Sequence, residues 1–149
     1  MKFFIDFKLS VMISDEEKEK IRIKVIELFY FSIEKFCGTD KKLACCVGNA
    51  ISEAIYNSIL HGGTEKFLEV WMGITCRKRR LLFVIKDKGD FYNKQEIKKA
   101  IKNKDLEKLI NFKPHKKSCG FGFEIIFESS PKIKILNGIL CLIWEKACD

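Results

Sequence analysis

The stretch that decides the fold is residues 52–62, which read SEAIYNSILHG. Glu53, Asn57 and His61 recur at four-residue intervals, so a helix places them on one face. Small and apolar residues recur on another face, and we therefore predict an amphipathic helix over residues 41–60. A carboxylate and a carboxamide one turn apart suit a magnesium-bound triphosphate, because an amide oxygen is a hard ligand. Taken alone, the same stripe is also typical of a solvated helix face.

A second fragment begins directly after an apolar strand predicted at residues 81–85, and residues 87–91 read DKGDF. A carboxylate at the end of a strand can accept a hydrogen bond from an exocyclic amine, which makes Asp87 a candidate for base recognition. Gly89 would let the backbone approach a ring closely, since glycine has no Cβ. An ordinary Asp-Gly turn is the alternative interpretation.

A third fragment, residues 118–122, reads SCGFG and stands before a predicted helix. Gly120 and Gly122 at a helix start would leave backbone N–H groups free to hold phosphate oxygens. The fragment is G-x-G only and lacks the further residues of a full phosphate-binding loop. The lysines before it, among them Lys117, would face either a terminal phosphate or solvent.

The rest of the chain predicts an alternation of hairpins and helices. Strands are predicted over residues 3–9, 67–75, 81–85, 132–136 and 139–144, and further helices over residues 15–36 and from 120 to about 130. The odd-numbered apolar residues of the first strand are expected to share one face, and Gly38 is expected to end the first helix. The polar, lysine-rich stretch that follows the third strand is expected to be only weakly helical, around residues 95–104.

These elements give the order β-α-α-β-β-loop-α-β-β. The turn Asn137-Gly138 and the other hairpins exclude an all-parallel sheet. The predicted fold class is therefore α+β, as a two-layer α/β sandwich with a mixed, mostly antiparallel sheet and about three helices on one face.

Composition narrows the class of protein. The 149 residues suit a single domain, and the net charge of +8 favours an acidic partner such as phosphate, nucleic acid, anionic lipid or an acidic protein. Apolar runs are far shorter than a membrane span needs, and Asp6 and Lys8 argue against a signal peptide. The 7 cysteines form no C-x-x-C pair, which favours reduced cysteines in the core of a cytoplasmic protein over zinc or disulfides.

The order and spacing of the three fragments resemble the histidine-kinase-like ATPase superfamily. Residues 52–62 look like its N box, most closely in the form found in bacterial anti-sigma-factor serine kinases. The resemblance covers nearly the whole chain. It implies a Bergerat ATP-binding fold over residues 1–149 and an ATP lid at residues 93–119.

The resemblance also implies a role for each matching residue. Asn57 would coordinate Mg²⁺, and Glu53 would be the general base toward a protein serine. Asp87 would read the adenine amino group beside Gly89, and Gly120 and Gly122 would close the lid over the phosphates. The other expected ATP-binding residues are His61, Phe91, Lys117 and Phe121.

The sequence departs from the superfamily pattern in two places. Phe91 stands where many members have a second glycine, and Lys116 and Lys117 stand where many have an arginine. A lysine supplies charge without the bidentate geometry of arginine. Asn49, one turn before Glu53, matches no residue of the motif.

The resemblance implies a cytoplasmic, Mg-ATP-dependent protein serine/threonine kinase of the partner-switching type. It would phosphorylate a STAS-type anti-anti-sigma protein and sequester a sigma factor or similar target. The alternatives are a nucleotide-gated protein-binding module with little kinase activity and a histidine-kinase catalytic domain. A nucleic-acid binder using the basic turn at residues 77–80 is a further alternative, less favoured because aromatic residues are sparse nearby. The aromatic residues 29–31 of the first helix would be either core or a homodimer surface.

Overall fold

The computed structural model describes residues 3–12, 18–61, 67–75, 79–111 and 122–146. Five strands are present: β1 (Phe3–Met12), β2 (Phe67–Thr75), β3 (Arg80–Asp87), β4 (Lys132–Leu136) and β5 (Ile139–Glu145). Five helices accompany them: α1 (Lys18–Cys37), α2 (Lys41–His61), α3 (Gln95–Lys102), α4 (Leu106–Asn111) and α5 (Gly122–Glu128). A single 3₁₀ turn covers Phe91–Asn93. The chain is α+β, a two-layer α/β sandwich, as predicted.

The strands form one sheet in the order β1-β2-β3-β5-β4, and all four described pairings are antiparallel. Met72, Phe83 and Leu142 lie opposite one another on the three central strands, and all three are fully buried. Along β3 and β5, buried residues alternate with half-buried ones, so the helices cover one face of the sheet.

The first strand departs from strict alternation. Leu9 and Phe7 pair with Val70 and Met72, which are core positions of β2, but the register shifts between Ile5 and Phe7. Beyond that irregularity, Ile5 pairs with Gly73, on the other set of positions. The expectation that the odd-numbered residues of this strand share one face is therefore wrong, because a bulge reverses the alternation.

Helices α1 and α2 build the other half of the core. Phe29 of α1 meets Phe83 of β3 edge-on, with ring centroids 5.9 Å apart. Gly38 has a φ of +64° and its N–H donates to the Glu34 carbonyl, so it ends α1 as predicted. Phe29 is buried, but the exposed fractions of Tyr30 and Phe31 are 54% and 71%. Core burial, one of the two interpretations of this aromatic run, holds for its first residue only.

The segment after β3 is more ordered than its composition indicates. Helix α3 falls inside the weakly helical stretch predicted at residues 95–104, whereas the short helix α4 is not predicted at all. Ile97, Ile101 and Leu109 are buried against the core, so both helices are held by tertiary contacts. These helices occupy residues 95–111 of the expected lid, and residues 112–119 lie outside the described residues.

The described cysteines are all free thiols. Cys37 is buried in the core, and burial raises the pKa of its thiol to about 11. Cys45 is exposed, so it fills no core space. None of the helices in the described part of the chain has the length and apolar character needed to cross a membrane.

Candidate functional site

The second half of α2 and the start of α5 meet closely at Gly122. A Cβ atom built on Gly122 would lie 2.9 Å from Oε2 of Glu53 and 3.2 Å from Nδ2 of Asn57. Contacts under 3.0 Å are essentially never made by a real Cβ, so only glycine lets α5 sit against these two side chains without displacing them. The structure therefore brings the first and third sequence fragments together, although they are far apart in the sequence.

The second fragment forms a compact turn at the end of β3. The Gly89 amide donates to Oδ1 of Asp87 over 2.8 Å, which fixes the carboxylate at the strand end. Burial raises the pKa of Asp87 above its usual value, while the Ser58 hydroxyl and the Gly89 amide favour the ionised form and offset part of that rise. Ser58 directly follows Asn57 on α2. The turn at Asp87 therefore lies near the part of α2 that carries Asn57.

Tyr92 completes the polar surroundings of Asp87. Burial and the charge of the nearby Asp87 raise the pKa of the Tyr92 hydroxyl, which therefore stays protonated at neutral pH. The Ser58 and Tyr92 hydroxyls both lie near enough to the carboxylate to affect its surroundings, although neither makes a hydrogen bond of ordinary geometry to a described residue.

Three buried polar atoms in this region have no hydrogen-bond partner in the described part of the chain: Nδ2 of Asn57, Oγ of Ser58 and Oη of Tyr92. An unsatisfied buried polar group costs about 1–3 kcal/mol, so native proteins rarely keep several without a purpose. Asn57 and Ser58 lie within the first sequence fragment, and Tyr92 directly follows the second. Together they give the region hydrogen-bonding capacity that a polar ligand would satisfy.

Aromatic packing joins the second and third fragments. Phe91 is buried and stacks on Phe123 of α5, with ring centroids 6.4 Å apart and an interplanar angle of 24°. Tyr92 meets Phe91 edge-on at 5.2 Å. Phe91, one of the expected nucleotide-binding residues, thus holds the start of α5 beside the turn that follows β3.

Several expected site residues cannot be placed. Lys117, Gly120 and Phe121 lie outside the described residues, and of His61 only the backbone, at the end of α2, is described. Asn49 lies on α2 but apart from Glu53 and Asn57, since it is exposed and its amide donates to Cys45 Sγ over 3.7 Å.

Ser58 and Tyr92 are additions that the sequence analysis missed. Ser58 falls on the apolar stripe of α2, where a hydroxyl is unusual, and Tyr92 directly follows the DKGDF turn. A polar residue inside an otherwise apolar stripe was the available signal for Ser58.

The site is rich in neutral and acidic groups. Glu53, Asp87 and the amide of Asn57 offer oxygen acceptors, while Ser58 and Tyr92 offer hydroxyl donors. Within the described ranges, no group of three or more His, Cys, Asp or Glu side chains is placed to hold a metal ion. A cation here would therefore depend on the Asn57 amide together with oxygens of a ligand.

Arg80, the last residue of the basic stretch 77–80, lies at the opposite end of β3 from Asp87. Residues 76–78 lie outside the described residues, and Arg80 pairs with Glu145 over 2.9 Å. The positive charge of Arg80 is therefore paired with a carboxylate of the neighbouring strand β5.

A scan of the sequence against models of protein families gives no matching family, and a search of curated proteins gives no significant match. The resemblance to the anti-sigma-factor kinases therefore depends on the motif residues and is taken up as a proposal.

Proposed function

We propose that this chain is an ATP-binding protein serine/threonine kinase of the anti-sigma-factor type, acting in the cytoplasm by partner switching. It phosphorylates a STAS-type anti-anti-sigma protein and sequesters a sigma factor or similar target. The observation that carries the proposal is the contact of Glu53 and Asn57 with Gly122, next to the Asp87 turn. Gly122, the described residue of the third fragment, lies beside two residues of the first fragment, which supports a shared site.

The adenine end of the site is supported by the surroundings of Asp87. Oδ1 of this carboxylate accepts a hydrogen bond from the Gly89 amide, which orients the group at the strand end. An exocyclic amine donates to such a carboxylate, and the unsatisfied hydroxyls of Ser58 and Tyr92 add donors and acceptors around it. This combination selects adenine over guanine, which presents a carbonyl at the corresponding position.

The phosphate end is supported by Asn57. Its Nδ2 is buried and has no hydrogen-bond partner among the described residues, so it can donate to a phosphate oxygen, and the carboxamide lies beside the start of α5. The amide oxygen would hold Mg²⁺ together with phosphate oxygens and water. The metal supplies neutralisation of the charge on the transferring phosphoryl group.

Glu53 is placed one helical turn before Asn57, and its Oε2 points to the start of α5. We assign it the general base. It accepts the proton of the partner's serine hydroxyl as the serine oxygen bonds to the γ-phosphorus and the bond from phosphorus to the ADP oxygen breaks. With Glu53 acting only as a base, the phosphoryl group passes directly from ATP to the serine, and no phosphorylated form of the kinase is required.

Nucleotide binding is tested first, without any partner. Saturation with Mg·ATP at about 100 times Kd should raise the free energy of unfolding by about 2.7 kcal/mol, and Mg·GTP should not. Asp87→Asn should abolish that increase. Asp90→Asn is the matched control, because Asp90 is exposed in the same loop. Equal stabilisation by the two nucleotides, or by ATP in both variants, would contradict the assigned pocket.

Phosphotransfer is tested next, with labelled ATP and a purified STAS-domain protein. Glu53→Gln should bind Mg·ATP normally and lose label transfer by about 100-fold or more. Glu34→Gln, on the exposed side of α1, should transfer label at the rate of the unaltered protein. ATP binding without transfer by the unaltered protein would leave the nucleotide-gated binding module as the function. In that case Glu53→Gln would keep partner binding intact.

A further inference from the structure

A groove of about 400 Å³ lies between α3 and β4, away from the site described above. Ile101 of α3 and Ile133 and Ile135 of β4 form its apolar floor. Ile133 and Ile135 are only half-buried, so their outer surfaces stay accessible. The groove therefore offers apolar contact along one side of a strand.

The rim of this groove is cationic. Lys98, Lys102 and Lys104 line it, and no carboxylate is among its lining residues in the described part of the chain. On the same strand, Lys132 and Lys134 are exposed and alternate with the isoleucines. An occupant would meet lysines on both faces of β4 and an apolar strip between them.

β4 is the last strand of the sheet, and among the described residues it pairs only with β5. Its other edge presents backbone N–H and C=O groups that an added strand would satisfy. Lysines on such an edge repel a second copy of the same strand, so they disfavour self-association. The same charges attract an acidic strand.

Lys104 adds a separate observation. Its φ is +52°, and it closes α3 with the paired backbone bonds Lys104 N–H to Ile101 O and Asp105 N–H to Ala100 O. Glycine is the favoured residue in this left-handed position, because a Cβ is strained there. The chain carries a lysine at the rim in spite of that strain.

We propose that the groove between α3 and β4 binds an extended segment of an acidic partner protein, which adds to the edge of β4 as a sixth strand. Apolar side chains of the segment face Ile101, Ile133 and Ile135, and its carboxylates, which alternate with them, face Lys132 and Lys134 on the other side of the sheet. The proposal does not depend on nucleotide binding or kinase activity, so it stands or fails separately from the proposed function.

The test uses the full chain and a fluorescent peptide of alternating valine and glutamate, about eight residues long to match a strand. Fluorescence anisotropy should show saturable binding that weakens with salt. Lys132→Glu combined with Lys134→Glu should lower the affinity by about tenfold or more, because the glutamates of an alternating strand face these two lysines while its valines face the isoleucines. Lys24→Glu combined with Lys35→Glu makes the same change of net charge on α1 and should lower it by less than about twofold.

Two further measurements address strand addition itself. A peptide with the same side chains but alternate amides methylated cannot pair with β4 and should bind about tenfold more weakly or not at all. Lys104→Gly relieves backbone strain while removing one rim charge, so it should weaken binding about twofold to threefold in a more stable protein.

Three results would overturn the proposal. Equal binding of the methylated peptide would show simple charge attraction. Equal losses in the two lysine pairs would show that the groove is not the binding site. Binding of generic DNA or RNA through Lys132 and Lys134, with no peptide binding, would identify a nucleic-acid surface instead.

Discussion

Gly122 is a residue at which the absence of a side chain matters for the candidate site. Its Cα faces the ends of Glu53 and Asn57, and a side chain would occupy the space that those groups use. Gly48, on the same helix as those two residues, has open space where a Cβ would be. The two glycines therefore allow one substitution to be compared in a crowded and an open setting.

Gly122→Ala should reduce Mg·ATP binding or label transfer by about tenfold or more, because displaced groups no longer meet the ligand in a productive geometry. The free energy of unfolding should change by less than about 1 kcal/mol, since the groups that must move are flexible side-chain ends. Gly48→Ala should leave function unchanged and stabilise α2 by about 0.5–1 kcal/mol. Nucleotide titration and denaturant unfolding of both variants test this. Equal activities would show that Gly122 has no special role.

Helix α3 ends in a strained left-handed residue. Lys104→Gly should raise the free energy of unfolding by about 1 kcal/mol, because the strain at φ +52° is removed. Lys102→Gly makes the same chemical change inside the helix and should lower it by about 1 kcal/mol. Thermal or urea unfolding of both variants gives the comparison. A loss of stability in both would mean that the side chain of Lys104 contributes more than the backbone strain costs.

A buried hydrogen-bond chain ties α5 to β5. Nε1 of Trp144 donates to Oγ of Ser129 over 3.1 Å, and Ser129 donates to the Ile126 carbonyl over 2.9 Å. Trp144 and Ser129 are both buried, so neither group can turn to water instead.

Ser129→Ala should lower the free energy of unfolding by about 1–3 kcal/mol, because it leaves the buried Trp144 N–H unsatisfied. In a Trp144→Phe background the same change should cost much less, since the donor is absent. A double-mutant cycle by urea unfolding measures the difference. A coupling energy near zero would show that the hydrogen bond is not what Ser129 contributes.

The elements with strong local signals were predictable. The bounds of β2 match the predicted strand, and Asn137 and Gly138 take φ values of +49° and +78°, as the Asn-Gly hairpin signal requires. The missed features depend on distant partners. Helix α4 is six residues long and is held by burial of Leu109, and the irregularity in β1 arises from its pairing with β2.

At the scale of the whole molecule, the site was only partly predictable. Glu53, Asn57 and Asp87 carry recognisable spacing, but their closeness follows from packing of α2 against α5 and β3. Ser58 and Tyr92 become polar neighbours of Asp87 only once the sheet and helices assemble. Hydrophobic periodicity predicts helices and strands, and it does not predict which polar side chains from distant elements come close together.

The pH dependence of unfolding is also a property of the whole molecule. The raised pKa of Asp87 means that its protonated form favours the folded state, a contribution fully present below the unfolded value of 3.8 and lost as the pH rises through the folded value. Without nucleotide, Asp87→Asn should therefore match the unaltered protein at low pH. At neutral pH it should be the more stable of the two.

Urea unfolding of both proteins across this pH range measures the difference, with Asp90→Asn as the control. A neutral-pH stability of Asp87→Asn below that of the unaltered protein would mean that the ionised carboxylate stabilises the fold after all.

The hairpin turn at Gly138 lies against Asn93, the last residue of the 3₁₀ turn after β3. A Cβ on Gly138 would lie 2.9 Å from Nδ2 of Asn93, so the turn between β4 and β5 packs closely on the 3₁₀ turn that precedes α3. If a strand docked on β4 and a nucleotide bound at the proposed site each alter this packing, the two binding events are coupled. Thermodynamic reciprocity then requires that each ligand alter the affinity for the other by the same factor.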